Sequence, residues 1–260
     1  MAQADFTTVT EVTGYKVTKE QIERMYTRYR FASEFCKDRE VLEVACGSGQ
    51  GLGYLVNGAK RIVGGDIDKK LLEIAGRHYK GRDKIQIELI DAQRLPFEHN
   101  SFDMVVLYEA IYYLESPEKF ISEAYRVLRK DGVLLICTAN KDWPGFNPSP
   151  YSYTYFSAPE LFSLLKNKGF LNIKLYADCP ADNDTAKGKI ISFIKRTAVA
   201  LHFIPKTMKG KEFLKRIFFG SLVPLPPEIY EGMSRYSAPV TIPWDCPNHG
   251  YKVLYAVGYK

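Results

Sequence analysis

The chain lacks any apolar run approaching the roughly 18 residues that a bilayer-crossing helix needs, so no transmembrane span is expected. Its first residues, Met-Ala-Gln-Ala-Asp-Phe-Thr-Thr, have no apolar core of a secretory signal, and a cytoplasmic location is the expectation. Cysteine is scarce and scattered, at positions 36, 46, 137, 179 and 246, with no C-x-x-C pair. That spacing supports neither a disulfide framework nor a zinc site, and no bound metal is expected. Cys46 and Cys137 stand in apolar strand contexts and read as buried thiols. Repeats and low-complexity tracts are absent. Neither charge sign dominates: the net charge of +6 allows anionic partners without requiring nucleic acid. What is present is 260 residues with ordinary apolar content, enough for one α/β domain carrying an inserted cap.

The chain is organised around residues 41–51, Val-Leu-Glu-Val-Ala-Cys-Gly-Ser-Gly-Gln-Gly. Val41, Leu42 and Val44 form a short apolar run, as expected of a buried parallel strand. Three glycines follow within five positions, and Leu52 to Val56 begin a helix. Strand, glycine turn and helix are the layout of a nucleotide site in an open α/β sheet. The dinucleotide fingerprint G-x-G-x-x-G fails in both frames, because Leu52 and Tyr54 stand where its third glycine belongs. A P-loop is excluded by the missing Gly-Lys-Ser/Thr. Glu43, at the strand end, suits a cation better than a pyrophosphate.

Glu43-Val-Ala-Cys-Gly-Ser-Gly49 resembles the first motif of the class I S-adenosylmethionine-dependent methyltransferases. Further motifs follow in register. Ile62-Val-Gly-Gly-Asp66-Ile-Asp68 resembles the second strand with its ribose-binding acid, and Ile87-Glu-Leu-Ile-Asp91-Ala92 the third with its adenine-binding acid. Leu95-Pro96-Phe97 and Ser101 to Tyr108 resemble the approach and fourth strand of the small-molecule branch. The resemblance covers roughly residues 38–178. It implies S-adenosylmethionine as cofactor, held by Glu43, Ala45, Gly47, Ser48, Gly49, Asp66, Ile67, Asp91, Ala92 and Tyr108. It also implies a doubly wound, seven-stranded, mostly parallel α/β sheet with an N-terminal lid helix and a helical insertion before the last strand.

Thr18-Lys-Glu-Gln21 is a capping-box pattern opening an amphipathic helix to about residue 36. In the resembled family such helices close over the methionine end of the cofactor, which makes Tyr15, Arg24, Arg28, Tyr29 and Arg30 candidate lid contacts. Lys69 to Tyr79 reads as a crossover helix. Ser116 as cap, Pro117 and Gly132 frame another, followed by a fifth strand at Val133 to Cys137. The aromatic segment 141–156 follows a strand end and is expected to border the acceptor pocket. Ser157-Ala-Pro-Glu160 opens a further helix, Asn172 to Ala177 the sixth strand, and Lys252 to Tyr259 the last.

About 70 residues separate those last two strands, far beyond a hairpin connection. The division is therefore an arm and lid helix over 1–37, a core over 38–180 with 248–260, and a helical insertion over 181–247. Two insertion helices are expected, near 190–203 and 208–219. Between Lys187 and Arg216 stand nine Lys or Arg and one Glu, interleaved with phenylalanines. A solvated basic cap, a site for a phosphate-bearing acceptor and peripheral membrane contact compete as readings.

Glu109, after the fourth strand, is the first candidate base, with Tyr112 to orient the acceptor or line the sulfonium; His249 is a second base if its segment folds over the pocket. The adenine-modifying branch carries Asn/Asp-Pro-Pro-Tyr/Trp after the fourth strand, where this chain has Leu107-Tyr-Glu-Ala110, and no Pro-Cys nucleophile is present. The reading is an S-adenosylmethionine-dependent methyltransferase of a small molecule, with a sugar or nucleotide-sugar first. The rivals are a non-catalytic module that binds the cofactor, a methyltransferase of a lipid-linked or macromolecular acceptor, and an aminopropyl transferase on the same fold.

Overall fold

A computed structural model of the chain describes residues 12–181 and 222–260. The two expected insertion helices and the basic stretch 187–216 lie outside the described residues.

In chain order the elements are β1 (Lys16–Val17), α1 (Lys19–Ser33), β2 (Glu40–Val44), α2 (Leu52–Val56), β3 (Arg61–Asp66), α3 (Lys69–His78), β4 (Ile85–Leu89), β5 (Phe102–Tyr108), a 3₁₀ turn (Ile111–Tyr113), α4 (Pro117–Val127), β6 (Leu128–Ala139), α5 (Ala158–Lys166), β7 (Leu171–Pro180), β8 (Val223–Pro224), β9 (Val240–Ile242) and β10 (Tyr251–Tyr259). Local chemistry explains several ends. Thr18 and Gln21 form both halves of a capping box at α1, and Ser157 and Glu160 do so at α5. Pro117 opens α4 as expected, but the Ser116 side chain makes no capping bond. Its backbone N–H instead donates to the Gln93 side chain at 2.8 Å.

Among the described residues the main sheet has eight strands, ordered β4-β3-β2-β5-β6-β10-β7-β9. β4, β3, β2, β5 and β6 run parallel; β10 is antiparallel to both β6 and β7. Seven strands match the expected set. The eighth, β9, corrects it: three residues paired antiparallel to β7 at the sheet edge. Pro239 and Pro243 bracket it, as suits a short edge strand. It comes from the segment assigned to the insertion. The same segment supplies β8, which pairs with β1, and buried Leu225 and Ile229. The described part, 222–247, is thus joined to the core.

Period-two alternation divides the core between the two faces of the sheet. Val41, Met104, Val106 and Leu135 pack with α1, α2 and α3; Leu42, Val44, Val105, Leu107 and Ile136 pack with α4 and α5. The chain winds outward from β2 through β3 to β4, then returns to β5 beside β2. That reversal opens a crevice at the carboxyl ends of β2 and β5, where open α/β sheets bind ligands.

Candidate functional site

The glycine turn follows β2 directly. Ala45, Gly47 and Gly49 all take left-handed backbone, with φ of 57°, 59° and 83°. The Gly47 N–H donates to Asp66 Oδ2 at 2.9 Å, tying the turn to the end of β3. A Cβ on Gly51 would lie 1.8 Å from the Tyr29 ring, so this glycine admits a side chain of α1 rather than a ligand.

A cavity of about 410 Å³ opens over this turn, walled by the ends of β2 to β5 and roofed by α1. Ala45, Gly47, Asp66, Ile67, Asp91, Ala92, Tyr108, Glu109 and Tyr112 line it, as do Arg24, Arg28 and Tyr29 from the expected lid. Cys46, Gln50, Ile90, Gln93 and Leu114 also line it and escaped the sequence reading. Each adjoins a motif residue in sequence, which was the available signal.

Four of the expected cofactor and catalytic residues are not among the lining, nor are Tyr15 and Arg30 of the candidate lid contacts. Ser48 is buried behind the turn, where its hydroxyl accepts from the Gln50 side-chain amide at 2.7 Å. Gly49 faces α3, and its carbonyl accepts from the Tyr79 hydroxyl at 2.6 Å. Glu43 is 1% exposed and sits behind Tyr29, whose hydroxyl donates to Glu43 Oε1 at 2.5 Å. His249 lies elsewhere: its Nδ1 is 2.7 Å from the Asp142 carbonyl and the side chain is exposed, so it does not fold over the cavity.

The acids at the strand ends differ in environment. Asp66 Oδ1 accepts from the Asp68 N–H at 2.9 Å, and Asp68 itself caps α3. Burial raises the Asp66 pKa against the opposing pull of those backbone donors. Burial also pushes Glu43 up to about 7, while the Tyr29 hydrogen bond and the Arg28 charge pull it down. Glu43 Oε2 has no hydrogen-bond partner among the described residues. Asp91 is exposed and receives the Gln93 N–H at 2.8 Å.

Beyond β5 the wall changes character. Glu109 takes left-handed backbone at φ 51°, turning its side chain across the crevice. Tyr112 donates to Glu109 Oε2 at 2.9 Å, and Arg28 Nη1 lies 3.5 Å from Oε1. Burial, then the Glu109 charge, hold the Tyr112 phenol well above its usual pKa, so it is a neutral donor. The aromatic segment 141–156 does not reach the cavity lining. Tyr155 stacks on Tyr112 at 4.5 Å, and Ser149 meets the Tyr113 hydroxyl at 2.9 Å. The segment buttresses the wall from behind.

Residues 42–136, which span the glycine turn and every strand end around the cavity, match the family model of a methyltransferase domain. Over that stretch the chain is similar to the methyltransferase domain family. A probable S-adenosylmethionine-dependent methyltransferase of Mycolicibacterium smegmatis is 33% identical over 147 residues, covering 55% of this chain and 56% of that protein. A demethylmenaquinone methyltransferase of Clavibacter sepedonicus is 31% identical over 97 residues, covering 37% and 40%. The chain spans about half the length of the curated relatives it matches. The crystal structure of the YcgJ protein from Bacillus subtilis shares the fold, with TM-score 0.59 and 15% identity over 91% of this chain and 98% of that one.

The residues around the cavity fit the cofactor S-adenosylmethionine. Among the described lining residues the acids are Asp66, Asp91 and Glu109. The basic ones, Arg24 and Arg28, both come from α1 and not from the glycine turn. That balance opposes a pyrophosphate and favours a cationic sulfonium with its ammonium group. Glu43, with one carboxyl oxygen unpartnered among the described residues, lies buried beneath the turn behind Tyr29.

Proposed function

We propose that the chain transfers a methyl group from S-adenosylmethionine to a small-molecule acceptor held against Glu109. The observation that carries this reading is a single cavity joining Asp66 and Asp91 on one side of β2 to the Glu109, Tyr112 and Arg28 set on the other. S-adenosylmethionine supplies a methyl group already activated by its positively charged sulfur. The protein's work is therefore alignment, which can contribute roughly 7–11 kcal/mol in favourable cases. Asp66 would accept from the ribose hydroxyls and Asp91 from the adenine amino group, while α1 roofs the cavity and excludes water. Glu109 is placed to take a proton from an acceptor hydroxyl or amine, a contribution of about 10²–10⁴-fold. Arg28 Nη1, 3.5 Å from Glu109 Oε1, and the Tyr112 hydroxyl, which donates to Oε2, fix the orientation of the carboxylate.

A relative named for a quinone precursor supports the small-molecule class. Within that class a sugar or nucleotide-sugar is the narrower reading, drawn from the basic stretch and the absent nucleic-acid motifs. The test is transfer of label from methyl-labelled S-adenosylmethionine into a fractionated cell extract. Label in the small polar fraction supports the proposal; label confined to lipid or macromolecules overturns the acceptor class. Tight S-adenosylhomocysteine binding with no label anywhere would mark a binding module instead.

A further inference from the structure

We infer that Arg24 receives an anionic oxygen group, a carboxylate or a phosphate, carried by the methyl acceptor. This rests on the methyl-transfer reading above. Arg24 and Arg28 stand four residues apart on α1, on one helix face, and both line the cavity. Their situations differ. Arg28 is paired with Glu109 at 3.5 Å. Arg24 is half-buried and has no hydrogen bond or ion pair among the described residues. Glu20, one turn earlier on the same helix, is within 3.9 Å of Lys252. A guanidinium cannot shed its charge, and withdrawing it from water without a partner is costly, so the arrangement calls for an anion.

The position of Arg24 says whose anion. The charges that act on it are Glu109, after β5, and Arg28 and Glu20 of its own helix, while burial keeps Cys179, at the end of β7, a neutral thiol. In the sheet order β4-β3-β2-β5-β6-β10-β7-β9 these two strands lie on the far side of β2 from Asp66 and Asp91. Arg24 thus faces the half of the crevice opposite the acids that suit the ribose and adenine. There Arg28 is the ion-pair partner of Glu109, and Arg24 has no ion pair of its own among the described lining residues. A planar fork of N–H donors matches a carboxylate or phosphate in two-point contact. The same charge repels a cationic acceptor, so the site selects acids over amines.

The experiment starts from a small-molecule extract divided by anion exchange into retained and unretained fractions. Each is incubated with methyl-labelled S-adenosylmethionine and wild-type, R24Q or R24K protein. The expected result is wild-type labelling from the retained fraction. R24Q should lower it on the order of 10–100-fold at limiting acceptor, with R24K between. S-adenosylhomocysteine affinity, read by calorimetry, should stay within about two-fold. Labelling of the unretained fraction alone, or equal labelling by wild type and R24Q, overturns the inference. So does a loss of S-adenosylhomocysteine affinity in R24Q with 5′-methylthioadenosine binding unchanged, because Arg24 would then hold the cofactor's own carboxylate. If R24Q fails to fold, R24K decides: unchanged acceptor use there sinks the assignment. No label from either fraction, with S-adenosylhomocysteine still bound by wild type, removes the methyl-transfer reading itself.

Discussion

Replacing Glu43 with Gln should change how the stability of the protein depends on pH. Glu43 is fully enclosed between β2 and α1, and its carboxyl titrates at about 7 against an ordinary value of 4.5. Because the folded value is the higher one, the neutral acid favours the fold. Its contribution is complete below about pH 4.5 and is lost as pH rises through 7, after which it is level. The interval of about 2.5 pH units corresponds to about 3 kcal/mol. The substituted amide keeps an acceptor for the Tyr29 hydroxyl and has no proton to lose. The stability difference between wild type and E43Q should therefore drift by about 3 kcal/mol from pH 4.5 to 8, against wild type, or about 6 °C in Tm. Denaturant titrations of the ligand-free protein at five pH values would measure it, and the difference cancels groups that titrate alike in both proteins. Parallel pH profiles would refute the reasoning, since Glu43 would then already be ionised in the fold.

Gly51→Ala would set a Cβ 1.8 Å from the Tyr29 ring and force α1 away from the turn. It should weaken S-adenosylhomocysteine binding at least about 10-fold and lower Tm; wild-type affinity would mean that the lid adjusts freely. Asp66→Ala removes the acceptor of two backbone N–H groups as well as a cofactor contact, so calorimetry should show affinity falling on the order of 100-fold. Unchanged binding would mean the pocket is misplaced. Glu109→Gln should cut turnover by about 10²-fold or more while cofactor affinity holds, and near-normal turnover would remove it from the mechanism.

The strand–turn–helix repeats were legible because each buried parallel strand reads as an apolar run closed by glycine or an acid. β9 was not: three residues carry no periodicity, and their strand character comes from β7 alongside. Glu43 shows how far a motif reaches. Its place at a strand end suggested ligand contact, yet it shares parity with Val41, whose face packs against α1. The alternation already implied that a lid side chain would meet it first, and Tyr29 does. Ser48 and Gly49 answer in the same way to α3 and to the turn's own hydrogen bonds. His249 carried no such signal, because its position depends on a loop closing against Asp142. The aromatic segment 141–156 was placed beside the pocket by composition, but its rings satisfy one another and Tyr112.

The described non-glycine residues with left-handed backbone fall into two groups by position. Asp38, Asn100, Asp131 and Asn172 lie at or near the amino ends of strands, and Asn and Asp accept that conformation readily. Ala45, Glu109 and Cys179 lie at the carboxyl ends of β2, β5 and β7, and their side chains do not. Each costs about 1–3 kcal/mol that the rest of the sheet must offset. Conformational tension is thus concentrated along the rim that bears the cavity, while the opposite rim is relaxed. A search for heat-tolerant variants would be drawn to that tense rim first, with Ala45→Gly an early winner, and would gain melting temperature by slackening the backbone that aims Glu109 and the glycine turn. Durability and aim are set against each other along one edge of the sheet.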